Sequence, residues 1–135
     1  MPDRVARASS SLLCQAYLGL VCVVAIVFVA MWFEGWPTAG SWPLLGFVVC
    51  GYLSSSLTHA LAASQFSSGR VRAWLLGVVG QALLFTASSV GLSFAGRYSA
   101  MLGLLMVAMI VSAIWTILML FHTEVRRFFF SGSLQ

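Results

Sequence analysis

Four apolar stretches, separated by short polar punctuation, dominate the chain: Leu12–Phe33, Pro43–Ala63, Ala73–Ala95 and Tyr98–Phe121. A helix rises about 1.5 Å per residue, so roughly 20 apolar residues cross a hydrocarbon core of about 30 Å, and each stretch exceeds that length. Membrane strands need only about 10 residues, so runs this long argue for helices despite their β-branched and aromatic content. The expected fold is all-α: a polytopic four-transmembrane-helix bundle forming a single membrane domain over residues 1–135. Composition points the same way, with 61% hydrophobic and only 7% charged residues in 135, against roughly a quarter charged in an ordinary soluble domain. A soluble fold this small could not hide so much apolar surface, which excludes a water-soluble enzyme.

The connectors are short. Glu34-Gly-Trp-Pro and Gly40-Ser-Trp-Pro set Pro37 and Pro43 where the chain leaves one helix and enters the next, a position that tolerates proline. Ser67-Ser-Gly69 punctuates the second connector, and Gly96–Arg97 leaves room only for a tight hairpin of the third and fourth helices.

Orientation rests on arginine alone, because the chain has no lysine. Arg4, Arg7, Arg70, Arg72, Arg126 and Arg127 fall on one side and only Arg97 on the other. The positive-inside bias then sends both termini to the cytosol, or to the matrix or stroma of an organelle. Trp32, Trp36 and Trp42 flank the first outer loop and Trp74 an inner boundary, as interfacial aromatics do; Trp115 lies deeper and is expected to pack. The first stretch is too long for a signal peptide and reads as a retained helix. The N-terminal arginines and serines faintly suggest a transit peptide, which Asp3 and the short length oppose. A plasma membrane or endomembrane is therefore expected over an organellar inner membrane. No asparagine is present, so N-glycosylation is excluded.

Cys14, Cys22 and Cys50 fall at three depths, which suits packing rather than a disulfide or a zinc site. Small residues recur at helical spacing in Gly51, Ser55, His59 and Ala62, in Gly77, Gln81, Ser88, Gly91 and Ala95, and in Ala108 with Ser112. Such faces let membrane helices approach closely, so the second and third helices are expected to pack on each other. The rival reading makes them the lining of a polar path.

His59 follows a hydroxyl-rich run, Ser54-Ser-Ser-Leu-Thr58, with Gln15 entering the first helix at similar depth and Gln81 somewhat deeper in the third. Intramembrane ionisable residues face a bundle interior or a watery cavity. Gln15, His59 and Gln81 therefore form the candidate polar cluster, as hydrogen-bonded packing or as a pathway. Bis-histidine haem ligation would need His122, which lies roughly a turn or more shallower than His59 and makes a poor second ligand. An ion-coupled transporter usually embeds a carboxylate, yet Asp3, Glu34 and Glu124 are all terminal or interfacial. The length and helix count resemble those of small multidrug-resistance transporters, but the glutamate of their first helix has no counterpart here and the family is not assigned.

Beyond the last stretch, Arg126, Arg127, Phe128, Phe129 and Phe130 combine cations and rings suited to the headgroup interface. No catalytic constellation, phosphate loop, metal motif, cofactor box or nucleic-acid patch is recognisable. The expected role is a non-catalytic accessory or scaffold subunit positioning partners within a membrane complex. The partners would be lipids and other integral subunits or a second copy. A channel or transporter for a small solute, lipid or proton around His59 is the alternative, and a tetraspan trafficking protein the third.

Overall fold

In the computed structural model, which describes residues 1–32, 42–94 and 99–131, five helices follow one another. They are α1 (Asp3–Trp32), α2 (Trp42–Gln65), α3 (Val71–Phe94), α4 (Ala100–Leu120) and the short α5 (Thr123–Phe130), with a 3₁₀ turn at Phe66–Ser68. The first four are long and apolar enough to cross a membrane. The connector holding Glu34, Trp36 and Pro37, and the Gly96–Arg97 turn with Ala95 and Tyr98, lie outside the described residues.

α1 begins at Asp3, nine residues before the apolar stretch. Hydropathy misses this start because Arg4 and Arg7 interrupt it. Periodicity supports it, since Val5, Ala8 and Leu12 recur at i, i+3 and i+7 and all three are buried. α2 starts with Trp42-Pro43, proline standing in the first turn where its missing N–H costs no hydrogen bond. Ser99 caps α4 by accepting from the Leu102 N–H at 3.4 Å. Gly69 ends the 3₁₀ turn at φ 63°, a left-handed conformation that favours glycine, and passes the chain into α3.

Two apolar clusters fill the bundle. One joins Cys22 and Ile26 of α1, Val48 and Tyr52 of α2, Leu84 of α3, and Met106 and Met109 of α4. The other lies at the end where the N-terminus, the 3₁₀ turn and α5 meet, and joins Val5, Leu12, Phe66, Trp74, Leu120, Val125 and Phe129. Small residues set the α2–α3 distance. A methyl on Gly51 would come within 2.8 Å of the Ala87 Cβ, and one on Gly80 within 2.5 Å of the His59 ring. Gly77 faces instead Leu120 of α4 and Leu12 of α1, and Gly91 faces Met106 of α4. α3 thus spends its small residues on both neighbours.

Several expectations are corrected. Ala108 is exposed; the inward stripe of α4 is Leu102, Met106, Met109, Ala113, Thr116 and Leu120, one helical face away. Trp115 does not pack but is 65% exposed. Trp74, expected as an interfacial ring, is buried and donates its indole N–H to the Leu120 carbonyl at 2.9 Å, satisfying one of the free carbonyls that end α4.

The segment after α4 is helical, and its ring triplet divides. Phe129 is buried edge-on against Phe66, with ring centroids 4.7 Å apart, while Phe128 is half-buried against it and Phe130 stays exposed. Arg126 and Arg127 remain exposed. Phe129 therefore belongs to the core rather than to the headgroup region. Phe129→Ala is expected to cost about 3 kcal/mol, in the range for emptying a buried aromatic site. The loss should be local, read as faster hydrogen exchange in α5 while α1–α4 keep their protection. By contrast, the Arg4–Glu124 ion pair at 3.2 Å joins side chains about half exposed and is worth at most about 1 kcal/mol.

Candidate functional site: a buried polar layer

Between the two apolar clusters lies a layer of polar side chains from all four long helices. The structure brings the three cluster residues together: Gln15 is 2% exposed, and His59 and Gln81 are fully buried. Gln81 is the centre. Its amide nitrogen meets Gln15 Oε1 on one side and His59 Nε2 at 3.0 Å on the other. An amide NH₂ has two protons, one for each acceptor.

The donors then fall into one consistent order. With His59 Nε2 accepting from Gln81, the imidazole proton sits on Nδ1 and faces Ser55 Oγ at 3.4 Å. Ser55 in turn donates to the Gly80 carbonyl at 3.0 Å. On the far side, the Gln15 NH₂ donates to Ser112 Oγ at 2.7 Å and to Thr116 Oγ1 at 3.1 Å, and Thr116 shares a further hydrogen bond with Ser11 at 2.8 Å. One hydrogen-bonded chain therefore runs from α2 through α3 and α1 to α4. A separate pair, Tyr52 OH and Ser88 Oγ at 2.8 Å, ties α2 to α3 about two turns away.

The direction of this chain matters for what it can do. Ser11 and Gln15 are one turn apart on α1, and Ser112 and Thr116 one turn apart on α4, about 6 Å in each case. The chain thus crosses the bundle from helix to helix and does not run along the helix axes. Each interhelical hydrogen bond in a membrane contributes about 0.6 kcal/mol on average. The alternative, a bare polar group in a low-dielectric interior, costs several kcal/mol. The layer accordingly ties the four helices to one another in one register, beside the apolar packing above and below it. Gln81 Oε1 and Ser56 Oγ are left without a partner among the described residues.

Gly80 is the position that sequence reasoning passed over. It supplies both the carbonyl for Ser55 and the space for the His59 ring. Its signal was available: a glycine one residue before a buried glutamine, in a helix interior where glycine costs up to about 1 kcal/mol relative to alanine.

The remaining site residues are dispersed. His122 contacts Arg4 at the arginine-bearing end of the bundle, in a hydrogen-bond system apart from that of His59. Cys14 and Cys50 are exposed and Cys22 is buried, all three as free thiols. Among the described residues no three His, Cys, Asp or Glu side chains converge on a metal-sized site. Comparison with known proteins finds no matching family model, no similar curated protein and no similar solved structure.

Proposed function

We propose that this chain is a non-catalytic four-helix membrane subunit that works by lateral contact with other integral membrane proteins, as an accessory or scaffold component. The observation that carries this reading is a shallow groove of about 410 Å³ on the outer side of the α2–α3 seam. Cys50, Gly51, Ser54, Ala82 and Thr86 line it between the bulkier Phe47 and Leu83. Small and hydroxylated side chains facing lipid suit close approach by another helix, and that is how helices associate where the hydrophobic effect no longer drives them together.

The polar layer supports the same reading. The donors of Gln15, Gln81, His59 and Ser55 are committed to partners within the bundle, and the layer crosses the bundle rather than tracing a route through it. The polar-path alternative has no comparable observation in its favour. In this reading the end bearing Arg4, Arg7, Arg70, Arg72, Arg126 and Arg127 faces the cytosol, or its organellar equivalent, by the positive-inside bias. The plasma membrane or an endomembrane is the setting.

Bulk placed in the groove tests the proposal. Ala82 is exposed, so Ala82→Trp should leave thermal unfolding in detergent within about 0.5 kcal/mol of wild type, as surface changes generally do. The same variant should lose any stoichiometric subunit that co-purifies with the wild type. Full retention of that subunit would refute this face as the contact.

A further inference from the structure

We propose that the groove between the first turns of α1 and the last turns of α4 binds one anionic phospholipid. It encloses about 520 Å³, with Arg4 and Arg7 of α1 and His122 beyond α4 among its lining residues. Its remaining wall is Ser11, Trp115, Leu118 and Met119. The site rests only on the bundle lying in a membrane and is independent of the lateral-contact reading.

Two helical stripes build the groove. Arg4, Arg7 and Ser11 fall at i, i+3 and i+7 on α1, while Trp115, Leu118, Met119 and His122 fall at i, i+3, i+4 and i+7 along α4 and its end. Each stripe is cationic or polar toward the bundle end. About two turns inward, roughly 10 Å, the wall is Trp115 beside Ser11. That gradient, charge at the mouth and apolar surface beneath it, matches an amphiphile with an anionic head and an acyl tail. Trp115 and Leu118 are 65% and 63% exposed, which gives a chain an open apolar wall to lie along.

The charge at the mouth is only partly neutralised. Arg4 is tied to Glu124 at 3.2 Å and touches His122, whereas Arg7 has no hydrogen-bond or ion-pair partner among the described residues. Arg4 is thereby held in place, and Arg7 contributes an uncompensated guanidinium whose planar fork suits a phosphate. Basic pockets between membrane helices at the positively charged boundary are a recurring setting for acidic headgroups.

The full-length protein in phosphatidylcholine nanodiscs, titrated with dioleoyl phosphatidylglycerol and read by native mass spectrometry of the released protein, tests this. One phosphatidylglycerol should be retained in preference to phosphatidylcholine. Arg7→Gln should weaken retention about fivefold, the worth of one arginine near an anionic surface. Trp115→Ala should also weaken it. Arg126→Gln/Arg127→Gln should leave it unchanged, and millimolar glycerol phosphate should not displace the lipid. Arg7 and Trp115 are exposed, so unchanged melting curves will separate loss of the site from loss of the fold. Equal retention by Arg7→Gln, equal retention of phosphatidylcholine, displacement by glycerol phosphate, or a loss confined to the Arg126/Arg127 variant would each overturn the assignment.

Discussion

Gln81→Leu is expected to destabilise the bundle by about 2–4 kcal/mol, because it strands two buried acceptors at about 1–3 kcal/mol each. Those acceptors are Gln15 Oε1 and His59 Nε2, both of which Gln81 serves from one nitrogen. Leucine also removes the unpaired Gln81 Oε1, which offsets part of the loss. Equilibrium unfolding in mixed detergent–SDS micelles measures the effect. The sharper reading comes from a double-mutant cycle with Gln15→Leu. Once Gln81 is gone, the second substitution removes an acceptor that has already lost its donor, so the pair should cost less than the sum by about 1 kcal/mol or more. Strict additivity would mean that the two amides do not act as one unit.

Gly80→Ala tests the same layer by adding volume instead of removing a bond. The new methyl would stand 2.5 Å from His59 Cδ2, 2.7 Å from its Nε2 and 2.9 Å from Thr58 Oγ1. The ring has nowhere to go without leaving Gln81 and Ser55, so α2 and α3 must separate or the chain must break. Overpacking of this kind costs about 1–3 kcal/mol, and Gly80→Val should cost more. Gly46 is the control, since a methyl there meets nothing within 4 Å. Gly46→Ala should therefore be neutral or stabilising by up to about 1 kcal/mol, the difference in helix propensity. If both glycines tolerated alanine equally, the close α2–α3 approach at His59 would be wrong.

Much of this architecture is legible in the sequence, for a physical reason. Crossing a bilayer demands long, nearly uncharged helices, and stretches such as Leu12–Phe33 and Tyr98–Phe121 have that length and composition. The meeting of Gln15, His59 and Gln81 is also anticipated, because polar groups on otherwise apolar helices must find one another inside the bundle. What hydropathy cannot see is structure paid out in charged or mixed segments. Arg4 and Arg7 mask the first turns of α1, and Arg126 and Arg127 mask a helix whose Val125 and Phe129 complete the core.

Facing is the other blind spot. A helix apolar on every side carries almost no directional signal, so the sequence places Trp115 and Ala108 of α4 inward and Trp74 at the boundary, whereas Trp115 and Ala108 are exposed and Trp74 is buried. The two glutamines and the histidine mark the inward face better than apolar residues do, whereas hydroxyls such as Ser54 and Thr86 also face outward. Thr116 and Ser112, bonded to Gln15, orient α4 where its leucines cannot.

The central claim is that the interior of this bundle is a fixed, cross-bonded bolt and that its action lies on its outer surface. Native mass spectrometry of the protein extracted in mild detergent from its own membranes tests it most directly. The account predicts a constant protein mass added to the 14.6 kDa chain, present in wild type and absent in Ala82→Trp. A lone 14.6 kDa species, together with solute flux through reconstituted vesicles that disappears in a folded His59→Ala variant, would contradict it.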